Sequence, residues 1–515
     1  MTSARLLQLA NLFYAHLPDV ANVDTPRLRW IPCLQVCRHW YSVGASNPRL
    51  WSFLWADTSL NYIRTCLARS KCMKIDVHVS KKTSIVSHVL PLLVPHIHRI
   101  RTLYLLGVAR DEAPRLAVFM KNTLPALETF QARVGNYLLD TSEDSVLDCT
   151  PERFPKLTCV DISGIHLLQT TALRQLKVLR LYGWLGIGAV PARTLGIFLQ
   201  ELVGVEDLLL SSMLFRIQSD PDWKPARAPL PRLRNLELDA SEDEVLQHIL
   251  SAFAIPTTTT TLIHRRVTTI VTRGIEEALL RGVRATLPVD RTGLPILSCA
   301  SMALVRALRD VHTVEVFAPL APFKPADGRI RLSLEIPNSY QYEDGGSLLE
   351  DFVDICRGAP IEVLRIDIEP SWCHLIDWRE TFVPFTVLHE LTISGEGVDP
   401  QATFLFSGLD PRGTPAATPD GERLILPQLQ KLCVEGFDAH DWTLLPAVVE
   451  CLRHRREALG VPIVLERLSF ELSGHRTVRH YHEQRALYTD ALSEYVLFFS
   501  YGLLRDDFSK LRETV

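Results

Sequence analysis

Along most of the chain the apolar positions recur in one short pattern: an apolar residue, two free positions, a second apolar residue, one free position, and a third. Ile100, Leu103 and Leu105 give it first. Leu157, Val160 and Ile162 repeat it, then Leu176, Leu179 and Leu181, then Val205, Leu208 and Leu210, then Leu233, Leu236 and Leu238. Later copies are Val311, Val314 and Val316; Ile361, Leu364 and Ile366; Leu388, Leu391 and Ile393; Leu429, Leu432 and Val434; and Leu465, Leu468 and Phe470. The last two members of each triplet stand two apart, so they point to one face of a short strand. Gly107, Gly164, Gly183, Gly395 and Gly436 follow closely and are expected to mark the turn out.

The middle members are 29 residues apart from Leu179 to Leu208, 28 from Leu208 to Leu236 and 27 from Leu364 to Leu391. A period near 28 is that of the longer leucine-rich repeats. Between triplets lie segments of helical spacing. Leu349, Phe352, Val353 and Cys356 share one face before a Gly stop, and "LLPAVVECLRHRREALG" ends likewise at Gly460. One strand plus one helix cannot bury its apolar side alone, but stacked units cover one another. The fold class expected is therefore α/β: an irregular solenoid of repeated strand plus helix over residues 58–515. From Leu236 to Val314 there are 78 residues without a clean copy, although "TTTTTLIHRRVTTIV" inside that gap suits a degenerate strand. Polar, Pro-containing stretches at 219–231 and 408–427 are expected to be surface excursions. The C-terminal "YHEQRALYTDALSEYVLFFSYGLLRDDF" is expected to form helices that close the last repeat.

The N-terminal segment differs. Leu6, Leu9, Phe13 and Leu17 share one face of a first helix. A second helix is expected to start at Pro32 and end at Gly44, with Val36, Trp40 and Val43 on one face and Cys33 and Cys37 beside it. Trp51, Phe53, Leu54 and Trp55 follow a "SNPRLW" turn. Residues 1–57 thus form a small helical unit whose apolar inventory exceeds what about fifty residues can bury, so part of it should meet another surface.

Composition narrows the function classes. Apolar residues make up 47% and charged residues 22% of 515, so most of the chain should fold. A net charge of −4 gives no push toward nucleic acid or an anionic membrane. No run approaches the ~18–20 apolar residues of a membrane span. Eleven scattered cysteines without a CxxC pair or a secretory signal suit a cytoplasmic or nuclear chain with reduced thiols. Candidate chemistry is sparse. Cys33 and Cys37 lack further ligands at zinc-site spacing, and His475, His480 and His482 sit among arginines in what reads as a solvated basic face. There is no GxSxG, no GxxxxGK[ST] and no defensible carboxylate pair. Neither an enzyme nor a cofactor is expected.

"RLRWIPCLQVCRHWYSVGASNPRLWSFLW" resembles the second half of an F-box, through Trp30, Leu34, Val36-Cys37-Arg38, Trp40, Pro48 and Leu50-Trp51. With the repeats behind it, the layout resembles the F-box-like leucine-rich-repeat proteins expanded in fungi. The resemblance implies that residues 1–57 dock on a Skp-family linker of a cullin–RING ubiquitin ligase, and that the solenoid binds a target protein. It makes Leu34, Val36, Cys37 and Trp40 candidates for the linker surface or its immediate support. The family's Leu-Pro opening is absent before the first apolar run; Leu17-Pro18 follows it. That departure leaves two readings open: a start truncated relative to the family, or a scaffold whose F-box remnant is only a cap on the first repeat.

Overall fold

In a computed structural model of the chain, the structure describes residues 34–55, 59–79, 85–134, 146–147, 149–163, 166–167, 171–183, 189–213, 216–218, 227–240, 242–265, 283–308, 311–318, 330–337, 346–395, 402–412, 424–438, 443–473 and 478–503. They are α/β. The chain divides into two compact units, Met1–Val190 with Gln200–Phe215, and Pro191–Leu199 with Arg216–Val515. The expected first helix, with Leu6, Leu9, Phe13 and Leu17, and the positions Pro32 and Cys33 lie outside the described residues.

In the first unit seven strands pair in parallel and in chain order: Phe53–Trp55, Ile75–Val79, Ile100–Val108, Thr129–Val134, Cys159–Ser163, Val178–Tyr182 and Asp207–Met213. Parallel neighbours need crossover connections, and helices such as Leu60–Arg69 and Ala113–Met120 supply them. The register is set by the apolar triplets. Leu54, Val77, Leu103, Phe130, Val160, Leu179 and Leu208 form one continuous row, and Val79, Leu105, Ala132, Ile162, Leu181 and Leu210 form the next. Every member of both rows is buried. Each such side chain contributes about 1.5–3 kcal/mol over its exposed state. The row extends to "IDVHV", which keeps only the alternation, and to "TFQARV", where buried Leu127, Phe130 and Ala132 complete a further triplet.

The second unit holds ten strands in one sheet, and they are not in chain order. Asn235–Ala240 pairs in parallel with Thr260–Arg265, whose other neighbour is Ile330–Pro337. Ile330–Pro337 is antiparallel to Val311–Ala318, which is antiparallel to Met302–Ala307. Met302–Ala307 then runs parallel to Val363–Ile368, and Glu390–Gly395, Lys431–Asp438, Leu465–Ser473 and Val496–Leu503 follow in parallel.

A three-strand meander therefore replaces one repeat, and it is threaded backwards. The Val311, Val314, Val316 triplet forms a strand, as its spacing indicates, but that strand is reversed. An unbroken array of parallel repeats is corrected at this point. Hairpin pairing needs only short turns, so no helical segment separates residues 302–307 from 311–318. This is why the period fails between Leu236 and Val314. The segment beginning "TTTTTLIHR" does form a strand, Thr260–Arg265.

Two further expectations are corrected. The C-terminal closure is one helix, Val478–Leu492, followed by the strand Val496–Leu503. Val496, Phe499 and Tyr501 stand in register with Leu465, Leu468 and Phe470, so "VLFFSYGL" extends the sheet instead of capping it with a helix. Gly107 and Gly436 lie inside strands, at bulges between Leu106 and Val108 and between Glu435 and Asp438, and not after them. Both take positive φ, 79° and 83°, which suits the left-handed residue of a bulge.

Candidate functional site

The helix at the N-terminus begins at Arg38, not near Pro32. Cys37 is extended (φ −163°, ψ 165°) and acts as the cap: its Sγ accepts from the Trp40 N–H at 3.5 Å. Val36 therefore does not share a continuous helical face with Trp40. Gly44 does not end the helix, which continues to Ser46 with Asn47 as its C-cap. Gly44 is instead a point of close approach, since a Cβ there would lie 2.2 Å from Leu34 Cδ2. The Asn47 side chain accepts from Arg49 N at 3.2 Å and opens the turn Pro48–Trp51.

Trp51 is 4% exposed and donates Nε1–H to Gly44 O at 2.9 Å. The Arg69 guanidinium stands 4.4 Å from the centre of its ring, a cation–π contact from the following helix. Arg69 also donates to Tyr41 Oη at 3.3 Å. With Leu54 and Trp55 buried in the first strand, these contacts fix the helix to the first unit. The four candidate residues then separate. Leu34 and Trp40 are half-buried and support the helix, while Val36 (64% exposed) and Cys37 face outward. Tyr41, 50% exposed and held by Arg69, joins them on the outside. Sequence reasoning passed over Tyr41 because an aromatic beside Trp40 at helical spacing reads equally well as core.

Strand alternation places a second set of side chains on the sheet face opposite the apolar rows. In the first unit one such row runs Trp55, His78, Tyr104, Gln131, Asp161, Arg180 and Leu209. Trp55, His78 and Tyr104 stack, with ring centres 5.7 and 4.4 Å apart and planes within 19°. Burial holds the His78 imidazole neutral, down to about 4, against a smaller opposing pull from Asp76. Asp161 follows, its Oδ2 taking Gln131 Nε2 at 3.2 Å with Arg133 at 4.0 Å.

In the second unit, the side chains that alternate with its buried strand residues form an ion-pair ladder. Arg306 lies 3.6 Å from Glu315 and 3.4 Å from Asp367; Arg365 lies 2.8 Å from Asp367 and 3.2 Å from Glu435. The acids sit deeper than the arginines, so their charges are paired and the guanidiniums carry the exposed surface.

The geometry offers little for bond-making chemistry. Burial pushes the thiols of Cys66 and Cys159 up to about 11 and those of Cys433 and Cys451 up to about 12, so they stay protonated and weakly nucleophilic at neutral pH. His454 places Nδ1 2.9 Å from both Asp410 carboxylate oxygens, but it is buried and ties a loop to the helix Leu444–Leu459. His480 and His482 stand on the helix Val478–Leu492, where positions two apart diverge, and not on a strand. Among the described residues no group of three or more His, Cys, Asp or Glu is placed to hold a metal ion, and no helix is long and apolar enough to cross a membrane. Compared with known proteins, the chain matches no protein-family profile and no curated sequence.

Proposed function

We propose that the chain is a non-enzymatic substrate receptor of a Skp–cullin–RING ubiquitin ligase, working in the cytoplasm or nucleus. Residues 1–57 dock on the Skp-family linker, and the polar face of an irregular leucine-rich-repeat solenoid holds the target. One observation carries this reading: the helical unit turns Val36, Cys37 and Tyr41 to solvent while Trp51, Leu54 and Trp55 anchor it from behind. An apolar set so presented suits a helix-in-groove interface. The receptor would act by proximity, raising the effective concentration of a target lysine at the charged conjugating enzyme.

The test is co-purification of the full chain with a Skp-family linker. V36D is expected to reduce linker capture at least tenfold with the melting temperature unchanged, because the Val36 side chain is 64% exposed. No capture by the wild type, or equal capture by the variant, would overturn the reading.

A second reading is favoured by a different observation. Strand Phe53–Trp55 pairs with Ile75–Val79, and Trp51 packs beneath Arg69, which suits a remnant that serves only as a cap on the first repeat. Under it, W51A lowers stability by about 3–5 kcal/mol, and V36D changes nothing measurable.

A further inference from the structure

The second unit's sheet ends on the strand Val496–Leu503. It pairs with Leu465–Ser473 on one side, and among the described residues no strand is in register on its other side. An open edge is a row of unpaired backbone donors and acceptors, and proteins guard it with charged side chains, with proline or by keeping the strand very short. The first unit's end strand, Phe53–Trp55, is guarded by its length of three residues. Val496–Leu503 has eight residues and none of these guards. Each of the other nine strands in the second unit's sheet carries at least one Asp, Glu, Lys or Arg, whereas "VLFFSYGL" carries none.

The strand is also firmly held. Tyr481 and Tyr488, on the helix Val478–Leu492, set their rings 5.7 and 5.3 Å from that of Tyr501, and Tyr481 Oη donates to the Tyr501 carbonyl at 2.9 Å. The helix thus ties down the C-terminal end of the strand. The stretch before it, Val496–Ser500, has Phe498 at its middle. Leu497 and Phe498 are 59% and 57% exposed, and Phe498 shares its register position and its side of the sheet with the exposed Arg467. A charged peptide gains no ion pair from such a strand. The same strand, run antiparallel about a two-fold axis perpendicular to the sheet, fits it better. That operation keeps outward residues opposite outward residues, sets no like charges together and, centred here, brings Phe498 against Phe498 of the second copy. The geometry points to Val496–Ser500 as a self-pairing edge through which two copies of the chain dimerise, each adding a strand to the other's sheet. The inference does not depend on the receptor reading above.

The test is sedimentation equilibrium of the full chain at micromolar concentration. The wild type is expected at twice its monomer mass of 58.2 kDa. F498K sets two like charges across the axis and should weaken dimerisation at least tenfold, with the melting temperature of the dilute protein unchanged. F498E should do the same. Because the position meets itself, an equimolar mixture of F498K and F498E should recover the dimer, which a general loss of stability would not produce. L497K, at an equally exposed position, should also weaken dimerisation and covers the case in which the Phe498 variants do not fold. A monomeric wild type, whether or not it binds a strand-forming peptide, would overturn the self-pairing. So would open-ended polymers, variants that dimerise as well as the wild type, or a folded mixture that stays monomeric.

Discussion

Two residues show how local conformation and burial decide what a position tolerates. Gly436 has φ +83°, and a Cβ there would lie 1.8 Å from the Gly395 carbonyl oxygen on the neighbouring strand. The neighbour is backbone and cannot swing away. Gly460, which ends the helix Leu444–Leu459, also has positive φ (66°) but open space around it. G460A should therefore lose only about 1 kcal/mol from the left-handed backbone, and G436A about 2–4 kcal/mol from strain plus overlap. Thermal unfolding of the two variants checks the order, and equal shifts would contradict it. His78 carries a pH dependence. Above pH 6.5 its imidazole is neutral in both folded and unfolded chains. Between 6.5 and about 4 only the unfolded chain binds the proton. Its stability is thus fully present above 6.5 and falls by about 3 kcal/mol as the pH drops to 4. H78F keeps a ring between Trp55 and Tyr104 and removes the titration, so the gap in melting temperature between H78F and wild type should widen toward pH 4. His312, also held near 4 by burial, remains in both proteins and cancels in the comparison.

At the scale of elements, buried arginines hold the connections that the strands do not. Lys71 and Leu426 adopt left-handed backbone, φ 49° and 50°. The Lys71 carbonyl accepts from Arg99, and the Leu426 carbonyl accepts from Arg455 at 2.8 Å. Arg455 also donates to Ile425 O at 2.6 Å, and Arg99 donates to Leu67 O at 2.8 Å near the end of the helix Leu60–Arg69. A side chain thus replaces the glycine such turns would otherwise favour. R455M keeps most of the volume but takes the guanidinium donor from the Ile425 carbonyl and leaves the Leu426 carbonyl only the Leu429 N–H at 3.2 Å. A loss of about 2–4 kcal/mol is expected, with faster amide exchange at residues 424–429; unchanged exchange there would show that the turn stands without the guanidinium. Nothing in the sequence marks these arginines, since Arg99 in "HIHRIR" and Arg455 in "RHRRE" stand beside basic neighbours with no apolar spacing of their own. The strands were far more legible, because period-2 apolar pairs at matched spacing carry the register directly. Legibility failed in two places: in "VLFFSYGL" the triplet Val496, Phe499 and Tyr501 is masked by the exposed apolar Leu497 and Phe498, and the meander at 302–337 obeys hairpin rules in an array read by crossover rules. In the N-terminal unit the spacing gave a helix but placed its start too early, since Cys37 serving as a cap has no signature in apolar periodicity.

For the molecule as a whole, a core spread along parallel rows makes stability local. Each strand's inward residues touch the strands on either side, and a defect should propagate by nearest-neighbour coupling instead of through one shared centre. Leu103 is fully buried and stands in register between Val77 and Phe130. L103A should destabilise its surroundings by about 2–5 kcal/mol. If the rows act as a chain of neighbours, amide exchange rises in Ile75–Val79, Ile100–Val108 and Thr129–Val134. The strands Lys431–Asp438 and Leu465–Ser473, packed through Leu432, Val434, Leu468 and Phe470 in the other compact unit, keep their protection. Exchange measured by mass spectrometry separates this from a single cooperative core, for which protection would fall in all five strands together.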